Sequence, residues 1–303
     1  MSTLRRTVII ALDGSSDARA ALPVGRALAA LEDATPHLVH VSLSGAPPAA
    51  LPAQLQLDAA QIEGAVLEPL AGPPGEAILQ AARDWHALAI VLCTHTALLH
   101  GQGVLGHVAA QVLQDAPCPV ILVRPEHGTT LWTPQEILVP YDGTPSCAAA
   151  CEPAVLLARR AEAALTILHV AADSSGSEEG TFPAPHYADQ LQYEWPAWAH
   201  ELLERFGAFH PQALPAAVKL LLGRGRPESE IVRLAAQRRL DLIALSWNGS
   251  LAPDRAAVLR SVIRDAPCPV MIFRAHPAHQ PAHSAQAVRF PETRGPAIRP
   301  HQV

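Results

Sequence analysis

Short apolar runs that stop at a turn signal recur along this chain, separated by stretches rich in alanine and leucine. Thr7–Leu12 and Ile137–Tyr141 each end at an Asp-Gly pair, the pattern of a buried strand that turns at once. Ser15 and Thr144 follow those pairs and precede Ala-rich stretches, which is an N-cap signal. Pro23 and Pro153 lie inside those stretches, so each helix is expected to start late or bend there. Further strands are predicted at Leu38–Leu43 and Leu165–Val170, at Leu88–Cys93 and Asp241–Ser246, and at Val120–Arg124 and Val270–Arg274. Helices are predicted over Gly75–Trp85 and Glu228–Arg238, with one more before each final strand. Such alternation implies α/β architecture, with doubly wound, mostly parallel sheets.

The predicted elements come in two matching series, so the chain repeats itself. DAPCPVILVR at Asp115–Arg124 returns 150 residues later as DAPCPVMIFR at Asp265–Arg274. Asp13 matches Asp142, and His40-Val41 matches His169-Val170, each 129 residues apart. Gly72, Pro74 and Ile78 match Gly225, Pro227 and Ile231 at a spacing of 153. The changing offset gives the second half 24 extra residues between Val170 and Gly225, and three fewer between Gly249 and Ala256. Ordered matches of this kind mark an internal repeat. The domains are therefore drawn at 1–127 and 128–275, the second with an insertion near 171–213.

Three segments break the rhythm. Ala46–Gln61 is rich in Pro and Ala and reads as loop plus a short helix. Asp173–Pro185 contains DSSGSEEG and reads as an acidic loop, followed over Tyr187–Phe206 by spacing that suits a helix. The tail, 276–303, is rich in Pro and His without periodicity, and is expected to be disordered.

Composition narrows the classes. Of 303 residues 49% are hydrophobic but only 4% aromatic, so the core must be built from Ala, Leu, Val and Ile. A formal charge of −6 speaks against a general nucleic-acid surface. The apolar run after the basic N-terminal residues ends at Asp13, short of a signal sequence, and no stretch approaches the ~20 apolar residues of a membrane span. Five cysteines without a C-x-x-C pair fit a reducing compartment, so the expected location is the cytoplasm.

An Asp-Gly-Ser after the first strand, His-Val ending the second, Gly-x-Pro before a helix and Ala-Pro-Cys-Pro-Val before the last strand together resemble the universal stress protein family. The resemblance covers about residues 5–125 and 134–275. It implies two five-stranded sheets of the adenine-nucleotide α-hydrolase-like kind in tandem. Subunits of the family often pair through their last strands, so Val120–Arg124 and Val270–Arg274 are expected to join the halves as an internal pseudo-dimer, which would also cover two strand edges. A homodimer of the whole chain stays open.

The resemblance also implies a place for a nucleotide. Members that bind ATP carry G-x2-G-x9-G-[ST] after the fourth strand, where glycines admit phosphates to backbone N–H groups at a helix N-terminus. The first half keeps the spacing but has Cys93 and Thr96 at the first two glycines and Gly106-His107 at the closing pair; Gly101 and Gly103 lie between. The second reads Ser246-Trp247-Asn248-Gly249, then six residues, then Ala256-Ala257. The vestigial site comprises Asp13, Val41, Thr94, His95, Gly106, His107, Asp142, Val170 and Gly249. A plainer reading makes the aspartates helix caps and the valines core.

The other candidates have plain alternatives. Cys147 and Cys151 share a helix face, as a metal or redox pair or as packing. Cys118 and Cys268 sit between prolines before buried strands and should be inert. His276, His279 and His283 form a spaced cluster that suits weak metal binding or a polar tail. His95, His100 and His107 lie along the degenerate loop, and Gly223–Arg226 reads as a turn with two exposed arginines.

These residues lead to a non-catalytic stress-response regulator that acts through protein partners, with no catalytic residue, metal or tightly bound cofactor expected. The alternative is an adenine-nucleotide sensor that binds ATP or AMP with its first half, with weak hydrolysis as its furthest extension. A third reading is a small-molecule carrier whose pocket is lined by Leu98, Leu99, Val104 and Leu105.

Overall fold

A computed structural model describes residues 6–42, 47–94, 105–127, 131–141, 145–171, 218–247, 249 and 256–274. The first half runs β1 (Thr7–Ala11), α1 (Ala21–Leu31), β2 (Thr35–Ser42), two single-turn helices α2 (Leu51–Gln54) and α3 (Ala59–Ile62), β3 (Val66–Ala71), α4 (Pro74–Asp84), β4 (Ala89–Cys93), α5 (His107–Asp115) and β5 (Val120–Val123). The second runs β6 (Glu136–Pro140), α6 (Pro145–Arg160), β7 (Ala164–Ala171), β8 (Val218–Arg224), α7 (Pro227–Arg238), β9 (Leu242–Trp247), α8 (Ala257–Asp265) and β10 (Val270–Arg274).

The strands form one sheet of ten, ordered β3-β2-β1-β4-β5-β10-β9-β6-β7-β8. Within each half all neighbours are parallel. The halves join where β5 and β10 run antiparallel, with Val120 opposite Ile272, Ile121 opposite Met271 and Leu122 opposite Val270. The two sheets expected from the repeat are thus one continuous sheet, and the last strands pair as anticipated.

Alternation along the strands sorts the core into two layers. Val8, Ile10, Val91, Ile121, Ile137, Val139 and Met271 face the layer that also holds buried residues of α1 and α6. Ile9, Ile90, Leu92, Val120, Leu122, Ile243 and Val270 face the layer shared with α4, α5, α7 and α8. Both layers run through the junction without a break. Side-chain contacts bind it further: Arg124 donates to the carbonyls of Arg264 and Ala266, His127 Nε2 donates to the Ala266 carbonyl at 3.0 Å, and Arg160 pairs with Glu32.

Local signals explain most boundaries. Ser15 Oγ accepts the Ala18 N–H at 3.1 Å and Asp13 Oδ1 accepts the Ser15 N–H at 2.8 Å, so a 3-10 turn, Asp17–Ala20, precedes α1. That delays α1 until two residues before Pro23, as expected. Pro153 instead lies inside α6, which starts at Pro145; the late start expected there does not occur, and a proline at the first helical position is pre-set for entry. Asp58 and Gln61 form a capping box for α3. In the Gly-x-Pro turns Gly72 and Gly225 share the same φ of +109°, a conformation that side chains disfavour. At Gly25 a Cβ would collide with Cγ1 and Cδ1 of Ile10, so α1 lies on β1 at a distance only glycine allows.

The third strand of each half, β3 and β8, was not located by the hydrophobic pattern. Both are sheet edges, and β3 is only half-buried and carries Glu68 and Pro69. Proline is tolerated there because an edge strand can leave one side of its ladder unpaired. Of the segment predicted at Ala46–Gln61, the described residues form short helical turns. The acidic insertion, the helix predicted at Tyr187–Phe206 and the tail lie outside the described residues. No described helix is long and apolar enough to cross a membrane.

Candidate functional site

In the first half β2 lies on one side of β1 and β4 on the other, and a crevice forms at such a reversal, beyond the carboxyl ends of the strands. A cavity of about 290 Å³ occupies that place. Its walls come from β1 and the turn after it (Ala11, Leu12, Asp13, Ala18), β2 (Val39, Val41), α4 (Pro74, Ile78), β4 with the residue after it (Leu92, Cys93, Thr94), and the start of α5 (Gly106 to Ala109). The lining is mostly apolar.

The turn that presents Asp13 is fixed from behind. His40 Nδ1–H donates to the Leu12 carbonyl at 2.8 Å, and Gln54 Nε2 lies 3.3 Å from His40 Nε2. Since a carbonyl only accepts, the proton must sit on Nδ1. The second half repeats the device, with His169 Nδ1 2.9 Å from the Tyr141 carbonyl. The sequence showed the matching His-Val pairs but gave their histidines no role. Their alternation away from Val41 and Val170 was the signal that they point to the opposite face.

Cys93 on the floor of the cavity lies within electrostatic reach of three carboxylates. Burial pushes the Cys93 thiol up to about 12, and the carboxylates of Asp17, Asp13 and Glu126 add to the shift. Cys93 is therefore a neutral thiol at physiological pH and unsuited to act as a nucleophile. Glu126 pairs with Arg124 at 3.3 Å. Thr94 is buried, and its hydroxyl donates to the Val123 carbonyl at 3.4 Å. At the far wall Gly106 is the N-cap of α5 and brings no capping side chain.

In the second half Trp247 holds the place of Thr94. It ends β9, is 4% exposed, and belongs to the same layer as Leu245, Ile231 and Leu259, the counterparts of Leu92, Ile78 and Ala109 on the cavity wall. A buried indole thus stands where the first half has a threonine beside open space. Ala256 and Ala257 replace Gly106 and His107, and Ala256 is buried. Gly249 passes close to the Arg274 guanidinium, with 3.3 Å from its Cβ position to Nε.

Of the residues expected to form a nucleotide site, the structure brings Asp13, Val41, Thr94, Gly106 and His107 together around one cavity. Val170 and Gly249 belong to the other half, and His95 and Asp142 lie outside the described residues. So do Thr96, Gly101, Gly103 and, of the proposed carrier pocket, Leu98, Leu99 and Val104. Leu105 packs against the core beside the cavity, whose described walls come from the strands and helices instead.

The remaining candidates within the described residues lie on α6 and in the turns before β5, β10 and α7. Cys147 and Cys151 lie one helical turn apart on α6, and Cys151 Sγ donates to the Cys147 carbonyl at 3.4 Å. Burial pushes Cys118 and Cys268 up to about 12. Arg224 and Arg226 are exposed at the turn, Arg226 pairing with Glu228 at 2.7 Å. The histidines of the tail and His100 lie outside the described residues.

Comparison with known proteins agrees with both halves. The model described as "Universal stress protein family" matches residues 5–124 and 134–274. A universal stress protein of Thermus aquaticus is 35% identical over 135 residues, covering 39% of this chain and 98% of its own. A putative universal stress protein of Staphylococcus haemolyticus is 28% identical over 146 residues, covering 47% and 86%. Among solved structures, a universal stress protein from Archaeoglobus fulgidus superimposes with a TM-score of 0.64 at 20% identity, covering 91% of this chain and 100% of that one. A putative universal stress protein from Pseudomonas aeruginosa gives 0.62 at 16% identity, with 89% and 93% covered. At those identities the two structures speak for the fold alone.

Proposed function

The chain belongs to the universal stress protein family through both of its halves, and on that premise we propose that it is a non-catalytic stress-response regulator working through protein contacts, without tight ATP binding. The observation that carries this reading is the fate of the phosphate-cradle position. The first half places a half-buried, neutral Cys93 at the first glycine of the ATP-binding members, and the second buries Trp247 one residue further on. Neither offers the bare backbone that lets phosphate oxygens reach N–H groups. The expected role of each half is then architectural, with the continuous sheet holding both outer surfaces in one fixed arrangement for partners.

A second reading has one observation in its favour. The first-half cavity lies at the strand reversal, with Asp13 on one wall and the uncapped start of α5 on another, so an adenine-nucleotide sensor built on that half is the alternative. One experiment separates them. Small molecules released on denaturing the freshly purified chain are identified by mass spectrometry, and ATP is then titrated by calorimetry. The proposal expects no co-purified nucleotide and no heat at millimolar ATP. ATP or AMP near one equivalent would overturn it in favour of the sensor.

A further inference from the structure

The seam between the halves carries a histidine with both ring nitrogens engaged. His127 closes a 3-10 turn, Pro125–His127, that follows β5. Its Nδ1 accepts the backbone N–H of Arg124 at 3.2 Å, and its Nε2 lies 3.0 Å from the carbonyl of Ala266, the C-cap of α8 in the other half. A carbonyl only accepts, so the ring proton sits on Nε2 and leaves the Nδ1 lone pair for Arg124. The ring therefore fits this place only as neutral imidazole. A second proton would go to Nδ1 and set one donor against another at the Arg124 N–H. The second half has no such ring in its sequence: at the repeat spacing of 150 residues Pro277 stands in its place. Burial holds the basicity of His127 below the ordinary imidazole range; the Ala266 hydrogen bond raises it, the Arg124 guanidinium lowers it and Glu126 raises it. Among the described residues, the other charged groups on elements packed here are Asp17 and Arg19 on the 3-10 turn Asp17–Ala20, and the Arg264–Asp265 pair at the end of α8.

We propose that His127 is a proton-operated latch between the halves: neutral, it ties the end of β5 to the end of α8, and a second proton releases it. Mild acid then loosens the seam that fixes the two outer surfaces relative to each other. The sign follows from the direction of the shift. With the folded-state value below the ordinary 6.5, the stabilisation is fully present above pH 6.5 and is lost as pH falls through 6.5 toward the folded value. The latch goes beyond the regulator reading and does not depend on whether a nucleotide binds, so neither result of the ATP titration bears on it.

Two NMR measurements on the full chain test it. Nitrogen-15 spectra of the His127 ring should show the Nε2–H tautomer at about pH 8, above the ordinary imidazole range, and titration below 6.5. Exchange of the Arg124 backbone amide, corrected for its intrinsic pH dependence, should lose protection at least about threefold between about pH 7.5 and about pH 5. The loss should vanish in His127→Gln, whose amide can donate to the same carbonyl but does not titrate. In the unaltered chain the ring and the amide should follow one midpoint, which decides the matter even where the variant does not fold. An Nδ1–H tautomer, a ring that titrates at or above 6.5, separate midpoints, unchanged Arg124 protection, or a loss that His127→Gln shares would each overturn the proposal.

Discussion

The two halves share a fold, a strand order and a histidine that pins the first turn, yet they differ where a ligand would sit. The first half has Thr94 and an open cavity; the second has Trp247, 4% exposed, at the same step of the same strand. Repeats within one chain need not keep equal roles, because stability asks only that each half bury its layers and complete the common sheet. The second half meets that demand with an aromatic side chain in a chain where aromatics are scarce. The first leaves its space open, with Asp13 on one wall. Among the described residues, the first half is the one whose strand reversal carries an open cavity.

The largest test of that division is Trp247→Ala. Removing a buried indole should cost about 3–5 kcal/mol, measured by urea denaturation, and the loss should be largely recovered by ligands that fill the new space. A loss below ~1 kcal/mol would mean that the indole does not fill the second half's site. Next comes Gly25→Ala. Its counterpart in the second half is already alanine, the buried Ala154, but in the first half a Cβ meets Ile10 and Val91. Overpacking of this kind should cost about 1–3 kcal/mol, whereas Ala154→Gly in the second half should cost only about 0.5–1 kcal/mol.

Smaller effects belong to the junction. Arg124→Met removes donors to two carbonyls of the second half and should cost about 1–2 kcal/mol, seen as separate unfolding of the halves in scanning calorimetry. A single unchanged transition would show that the β5–β10 pairing alone holds them.

The smallest concerns pH. Cys93, Cys118 and Cys268 each have a thiol pushed up to about 12 from an ordinary value of 9.0. A raised folded-state value means that the stabilisation is fully present below pH 9.0 and is lost as pH climbs toward 12. Stability should therefore decline over that window, and Cys118→Ala with Cys268→Ala should flatten the decline. Alkylation at neutral pH should spare Cys93 while the chain is folded; rapid labelling there would contradict a neutral thiol.

Much of this was legible in the sequence where the signals are local and doubled. Asp-Gly after an apolar run, Gly-x-Pro and Ala-Pro-Cys-Pro-Val each occur twice, which located four strands of each half; the joining of the last ones was implied by the family resemblance. The edge strands escaped because β3, with Glu68 and Pro69 in six residues, lacks the signature of a buried strand. Loss of the glycine motif was plain at Cys93 and Ala256, but its consequences were not. That the first half keeps a cavity depends on α4, α5 and β2 meeting at a distance. Trp247 beside a broken motif reads as ordinary core until it is set against Thr94 on a common strand. The carboxylates of Asp17 and Glu126 lie more than a hundred residues apart, and only the fold places both near Cys93.

The most direct measurement is methyl NMR of the Ile-, Leu- and Val-labelled chain under xenon pressure, since xenon enters apolar space without regard to charge. The account predicts shifts at Val41, Ile78 and Leu92 in the first half, with Ile231, Leu245 and Leu259 in the second unmoved. Equal shifts in both halves, or shifts in the second alone, would contradict it.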